Sequence, residues 1–176
     1  MLTASGIDVY QDGATRPTRS VDVPSTGVLT VAGGTLFGTP IQHGTAWAYD
    51  TRGQRMLWKH ELLSSEIRFS AGATGARDLV YIPDAKGGLL AFQPRDGRLA
   101  QRRRLPLAAR IEVAPVAAGG VVYAGATDRT VYAVDAATGR LRWRYVTGGS
   151  VNTPPVVAGR VVHVGCRDGF LYTLRA

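Results

Sequence analysis

Cysteine is nearly absent from this sequence: Cys166 is the single thiol among 176 residues. One cysteine cannot form an intrachain disulfide or build a multi-cysteine metal site. The sequence therefore excludes a secreted scaffold held together by disulfides. Cys166 lies in an apolar run, where we expect it to be an inert core residue.

Long apolar runs are missing as well. No stretch approaches the roughly 18 to 20 apolar residues that cross a bilayer, and residues 1–27 lack the basic start and apolar centre of a signal peptide. We therefore expect no membrane insertion. These residues do not determine the localisation of the protein. We expect the cell envelope if they belong to a longer exported protein, and the cytoplasm otherwise.

Helix-period patterns are also missing, whereas glycine and proline are frequent at 22 and 9 residues. The longest helical candidate, Leu99 to Arg110, is interrupted by Pro106. Frequent turns without a sustained helical period favour an all-β fold.

Positive charge exceeds negative charge, giving a formal net charge of +8, and nearly all of it is arginine because lysine occurs only twice. The densest cluster is Arg102, Arg103 and Arg104. We interpret it either as an anion patch for phosphate or another polyanion, or as an outer edge strand whose charges prevent unwanted pairing. Aromatic residues are not interleaved with these arginines, so nucleic acid is not expected as a partner.

The stretch from Val121 to Trp143 contains the pattern on which the rest of the chain is built. Two apolar runs, Val121 to Gly125 and Val131 to Asp135, are rich in β-branched and aromatic residues and predict buried strands. The segment from Asp135 to Gly139 predicts a turn, because Asp accepts backbone hydrogen bonds and Gly tolerates positive φ.

This order of strands and turns recurs four times. Alignment on the third strand places Ala48, Ala91, Ala133 and Thr173 at one position, with spacings of 43, 42 and 40 residues. A period near 40 residues with about four strands per unit is the signature of a β-propeller. The last copy ends one strand short. We predict an N-terminal segment, 1–27, with a spare outer strand, and propeller repeats over 28–176, with blades near 28–63, 64–108, 111–149 and 150–176.

The motifs Val-Tyr-Ala-Gly and Val-Tyr-Ala-Val-Asp-Ala-Ala-Thr-Gly-Arg, followed by Trp143, resemble the repeat of PQQ-like β-propellers, the quinoprotein alcohol dehydrogenase-like superfamily. In that family the tryptophan docks against the neighbouring blade and the Asp-to-Gly turn fixes the outer hairpin. The resemblance implies docking roles for Trp58 and Trp143. Gln93 and Gln101 depart from the motif, so the second blade is expected to dock less firmly. The predicted structural turn residues are Asp50, Gly53, Asp96, Gly97, Asp135, Gly139, Asp168 and Gly169.

The resemblance raises the question of a quinone cofactor. Dehydrogenases of this family bind the quinone with Ca²⁺ held by a Glu, Asn and Asp set, and often carry adjacent cysteines. This chain has three glutamates and one cysteine. The aspartates of the repeats that fall in predicted turns are Asp50, Asp84, Asp96, Asp128, Asp135 and Asp168. Its histidines, His43, His60 and His163, lack metal-ligand spacing. We predict no catalytic, cofactor-binding or metal site, no cofactor and no enzymatic activity.

Two closures remain open. The repeats are either the C-terminal half of a seven- or eight-bladed propeller, or a closed four-bladed ring in which Ile7 to Tyr10 completes the last blade. An open half exposes apolar blade faces, which normally find a partner, so we expect a protein partner, the remaining blades or a homodimer.

For function we expect a non-enzymatic binding or scaffold module. By resemblance, such propellers are envelope assembly factors or sensor domains of bacterial Ser/Thr kinases. The alternative is a fragment of a quinone-dependent dehydrogenase whose cofactor ligands lie outside these residues.

Overall fold

The computed structural model describes residues 6–9, 15–16, 19–23, 28–32, 34–39, 45–61, 74–76, 79–84, 87–104 and 109–176. These residues form strands and turns, and no helix occurs among them. A helix capable of crossing a membrane is accordingly not found in these ranges. The predicted all-β fold class is confirmed.

The described strands form five antiparallel sheets. The first sheet, called the hairpin below, pairs β1 (Gly6–Val9) with β2 (Arg19–Asp22). Blade 1 contains β3 (Val28–Ala32), β4 (Thr35–Thr39), β5 (Thr45–Asp50) and β6 (Arg55–Glu61). Blade 2 contains β7 (Thr74–Ala76), β8 (Leu79–Pro83), β9 (Gly88–Phe92) and β10 (Leu99–Arg104). Blade 3 contains β11 (Val116–Ala118), β12 (Val121–Gly125), β13 (Thr130–Asp135) and β14 (Leu141–Val146). Blade 4 contains β15 (Val156–Ala158), β16 (Val161–Gly165) and β17 (Leu171–Arg175).

Every blade is a meander in which consecutive strands pair. The first strands of successive blades, β3, β7, β11 and β15, are neighbours in that order, so the sheets radiate from one inner side and the fourth strands lie at the outer edge. This arrangement is that of a propeller, in which stacked blades bury faces that one sheet cannot cover alone.

The register between the third and fourth strands repeats from blade to blade. An irregularity follows Ala48 in blade 1 and Ala133 in blade 3, and another interrupts the pairing of β10 with β9 in blade 2. Trp58 is paired with Ala48 and Trp143 with Ala133, whereas Gln101 takes this place opposite Ala91. Equal positions in the sequence repeat are therefore equal positions in the sheets.

Each blade has a front face, which is turned to the next blade in the chain, and a rear face, which is turned to the previous one. The front face carries an aromatic residue on the second strand and small or aliphatic residues on the third. The rear face is aliphatic or aromatic. Blade 1 packs Phe37, Ala46 and Ala48 against Val80, Ile82, Leu90 and Phe92 of blade 2. Blade 2 packs Tyr81, Leu89 and Ala91 against Val122 and Ala136, and blade 3 packs Tyr123, Val131 and Ala133 against Val162 and Val164 of blade 4.

The hairpin covers the rear face of blade 1. Val21 and Val23 pack against Leu36, Trp47 and Tyr49. The hairpin thus takes the position of a preceding blade. The spare strand expected at residues 7–10 pairs through its described part with β2, not with β17. The pairing that a closed four-bladed ring required is therefore not the one adopted by the described residues.

Candidate functional site

The outer turn of blade 3 is organised by the carboxylate of Asp135. Its Oδ1 accepts the backbone N–H groups of Ala137 (3.0 Å) and Thr138 (2.8 Å), and its Oδ2 forms an ion pair with Arg142 at 2.5 Å. The Arg142 guanidinium, followed by these turn hydrogen bonds, holds the pKa of Asp135 well below its usual range. Gly139 closes the turn with φ of +64°, a conformation that glycine adopts without steric cost.

The same turn in blade 1 departs from the sequence expectation at one residue. Asp50 accepts the N–H groups of Arg52 (3.0 Å) and Gly53 (2.9 Å), and the bond from Gly53 contributes most to lowering its pKa. The left-handed position equivalent to Gly139 is occupied by Gln54, with φ of +52°. Gly53 has another role, because a Cβ there would overlap the Asp50 carboxylate.

In blades 3 and 4 an aspartate precedes a tyrosine by four residues. Asp128 accepts hydrogen bonds from Thr130 N and the Tyr132 hydroxyl (2.5 Å). Asp168 likewise accepts the Tyr172 hydroxyl at 2.6 Å, and Gly169 follows with φ of +85°. Burial, followed by the hydrogen bond to Asp128, raises the pKa of Tyr132 to about 12. These carboxylates stabilise turns between the second and third strands.

The junction between blades 1 and 2 is built around Trp58, which is 7% exposed. Its indole N–H donates to the carbonyl of Pro94 in blade 2 at 2.7 Å, and its ring stacks on Phe92. Gly97, with φ of +68°, lies under the ring, where a Cβ would overlap Trp58 and His60. The predicted tryptophan and the predicted turn glycine are thus in direct contact.

The junction between blades 2 and 3 uses a residue that the sequence analysis did not select. The hydroxyl of Tyr81, which is buried in the front face of blade 2, donates to the carbonyl of Ala136 in blade 3. Ala136 follows Asp135 as Pro94 follows Gln93, so both junctions use the same carbonyl of the repeat. A sequence signal for this bond does exist. Blade 2 has Gln101 in place of the motif tryptophan, and it also carries a tyrosine that can donate the hydrogen bond instead.

Trp143 lies at the edge of the junction between blades 3 and 4. It is half-buried and packs on Tyr123 with ring centroids 5.8 Å apart. The remaining predicted turn carboxylate, Asp96, accepts the N–H of Arg98 at 2.9 Å. Arg102, Arg103 and Arg104 belong to β10, the outermost strand of blade 2. Their side chains lie outside the described residues.

The front face of blade 4 has no blade against it in the described residues. Leu171 occupies the position of the fully buried Val131, yet it is 71% exposed. Val156 is 59% exposed on the same face. His163 stands where blades 2 and 3 have Tyr81 and Tyr123, and its Nδ1 lies 3.0 Å from Thr173 Oγ1. His163 is only partly buried, because its sheet face is uncovered.

The donor set of the described residues does not fit a quinone cofactor with its Ca²⁺. The turn aspartates already accept hydrogen bonds from their own turns, as shown above for Asp50, Asp128 and Asp135. Glu112 is exposed to solvent, and in the described ranges no group of three or more His, Cys, Asp or Glu side chains could hold a metal ion. The side chains of Glu61 and Glu66 do not belong to the described part of the structure.

Comparison with known proteins places these features in a family. A family model described as outer membrane protein assembly factor BamB matches residues 9–176. The quinoprotein alcohol dehydrogenase PedE of Pseudomonas putida is 30% identical over 103 residues, which cover 55% of this chain and 16% of that protein.

Solved structures show the same fold. BamB from Moraxella catarrhalis superposes with a TM-score of 0.72 at 18% identity, covering 97% of this chain and 47% of that one. The computationally designed Ika4 protein superposes with a TM-score of 0.68 at 19% identity, covering 84% of this chain and 88% of its own. The chain thus spans less than half of the natural relatives and is similar in length to the designed protein.

Proposed function

The chain belongs to the PQQ-like β-propeller family, and on that premise we propose that it is a non-enzymatic protein-binding module whose docking surface is the front face of blade 4. The observation that carries the proposal is the exposure of Leu171 at a repeat position where Val131 is fully buried. A β-propeller blade is completed by contact with a second sheet. An apolar sheet face of this kind marks an interaction site.

The occupant to which we commit is a second copy of this chain. Two copies supply about the length of the BamB relative, of which one copy covers 47%. Within the chain, rear faces of aliphatic and aromatic residues cover the front faces of blades 1 to 3. The rear face of blade 1 is covered by the hairpin, so the hairpin of the second copy is the surface that meets the front face of blade 4. Burial of exposed Leu171 and Val156 would contribute about 1.5 to 3 kcal/mol per side chain.

Static light scattering over a concentration series tests the proposal. We expect a mass near twice 18.7 kDa for the unmodified chain and a monomer for Leu171→Asp, because a carboxylate in an apolar contact loses its hydration without gaining a partner. Leu141→Asp is the matched control, since Leu141 is exposed on the outer strand of blade 3. A monomer for the unmodified chain, or equal masses for the two variants, would overturn the proposal.

We further propose that the module serves as an assembly platform in the bacterial envelope. The family description, outer membrane protein assembly factor BamB, supports this setting, as does the structural similarity over nearly the whole chain. Fractionation of cells that produce the natural full-length protein tests it. Recovery in the cytoplasmic fraction alone would contradict it.

The second candidate is a fragment of a quinone-dependent dehydrogenase, and the local identity to PedE favours it. Because the donor set described above does not fit the cofactor, this candidate needs ligands outside this chain. Titration of the whole natural gene product, with any blades that lie outside these residues, with the free quinone and Ca²⁺, followed by tryptophan fluorescence, distinguishes the two. Saturable quenching that requires Ca²⁺ would favour the dehydrogenase, whereas no saturable change is expected for a binding module.

A further inference from the structure

An open cleft of about 350 Å³ lies between blades 1 and 2, at the end of the sheets that carries the β3–β4 and β5–β6 turns. Arg52 and Arg55 line it from blade 1, and Arg95 lines it from the equivalent turn of blade 2. The cleft is also lined by Asp50, Thr35 and Leu57. The residues that line the cleft are distant in sequence from those on the front face of blade 4.

The two turns of blade 1 are tied together beside this cleft. The N–H and the hydroxyl of Thr51 both donate to the carbonyl of Gly34, at 3.1 and 2.7 Å. Gly34 has φ of +80°, and Nε of Arg52 lies 3.7 Å from the place that a Cβ of Gly34 would take. A Cβ at Gly34 would be in ordinary van der Waals contact with Arg52, so the Arg52 side chain lies directly against this turn.

Positive charge in the cleft is not balanced. Three guanidinium groups face one carboxylate, and Asp50 is engaged by the N–H groups of Arg52 and Gly53. No ion pair joins Arg52, Arg55 or Arg95 to a carboxylate within the part of the chain that the structure describes. By contrast Arg98, in the same turn as Arg95, pairs with Asp96 at 3.4 Å.

The repeat shows that the turn itself does not require these arginines. Arg52 and Arg95 share one repeat position, and blade 3 has Ala137 there. The position of Arg142, which neutralises Asp135 in blade 3, is occupied by Leu57 in blade 1. Compared with the turn of blade 3, the junction of blades 1 and 2 therefore has two additional arginines, Arg52 and Arg95, and the apolar side chain of Leu57.

We propose that this cleft is a binding site for a small polyanion carrying at least two carboxylate or phosphate groups. Guanidinium groups bind both kinds of oxyanion through paired, charge-assisted hydrogen bonds. Arg52 and Arg95 approach from opposite blades and bind separate oxyanion groups, while Leu57 contacts the carbon or ester portion between them.

Isothermal titration of the full chain with citrate and, separately, with inorganic pyrophosphate tests the proposal. For ligands of this size we expect a dissociation constant on the order of 1 mM at low salt. Loss of one charge-assisted contact should weaken binding about tenfold, so Arg52→Ala and Arg95→Ala are the informative variants. Arg140→Ala is the matched control, because it removes an exposed arginine from the equivalent turn of blade 3.

Each outcome assigns or removes the site. Binding of citrate alone identifies a carboxylate ligand, binding of pyrophosphate alone identifies a phosphate ligand, and weakening by Arg52→Ala and Arg95→Ala supports the site in both cases. Equal weakening by Arg140→Ala would show attraction to diffuse basic charge and would overturn it, as would the absence of binding by either probe. The masses measured for Leu171→Asp are independent of these results.

Discussion

Tyr81 and Ala136 are joined across the junction of blades 2 and 3, where the tyrosine hydroxyl donates to the alanine carbonyl. One junction earlier the carbonyl at the same repeat position, that of Pro94, accepts the indole N–H of Trp58. Blade 2 has Gln101 in place of that tryptophan. The tyrosine therefore supplies a hydrogen-bond donor where the motif tryptophan is missing. This bond opposes the looser docking that Gln93 and Gln101 predict for blade 2.

Tyr81→Phe should lower the free energy of unfolding by about 1 to 2 kcal/mol, because the carbonyl of Ala136 would stay buried without this donor. Tyr123→Phe is the matched control: it occupies the same position in blade 3, and no hydrogen bond of its hydroxyl is found among the described residues. Urea unfolding followed by circular dichroism measures both. Equal losses in the two variants would show that the hydrogen bond from Tyr81 to Ala136 makes no net contribution to stability.

The two motif tryptophans should differ in their contribution to stability. Trp58→Phe removes the donor to Pro94 and part of a buried ring, so we expect a loss of about 2 to 3 kcal/mol. Trp143 is only half-buried, and Trp143→Phe should cost about 1 kcal/mol. Denaturant midpoints of the two variants, at unchanged slope, decide the order. A larger loss for Trp143→Phe would contradict the difference in docking described here.

The blade order was predictable from the sequence because strand composition, turn residues and the repeat period are local signals. The pairing of residues 7–9 with β2 was not, because the sequence contains no signal that chooses between two sheet edges. Tyr81 was missed for a similar reason: its acceptor lies 55 residues away. The arginine cleft did leave a signal, since Arg52 and Arg95 are 43 residues apart, which is the spacing of the first two repeats.

Gln54→Gly should stabilise the protein by about 0.5 to 1 kcal/mol, because a residue with a Cβ pays a steric cost at positive φ that glycine avoids. The gain is reduced by the larger conformational freedom of glycine in the unfolded chain. Gly139→Ala, at the equivalent position in blade 3, should destabilise by a similar amount. Thermal melts of both variants measure the effect, and a destabilised Gln54→Gly would mean that the glutamine side chain makes a stabilising contact that outweighs the strain.

The buried Tyr132 predicts a loss of stability in alkaline solution. Its pKa is raised to about 12 in the folded chain, compared with about 10 for an unperturbed tyrosine. A raised pKa means that folding favours the protonated hydroxyl, so this contribution is complete below pH of about 10 and is lost as the pH rises towards 12. Tyr132→Phe should therefore lower stability by about 1 kcal/mol at neutral pH and flatten the decline between those two pH values. Tyr145→Phe, on the exposed outer strand, should leave the decline unchanged. Urea midpoints measured over this pH range test both, and an equally steep decline in Tyr132→Phe would show that another group controls alkaline unfolding.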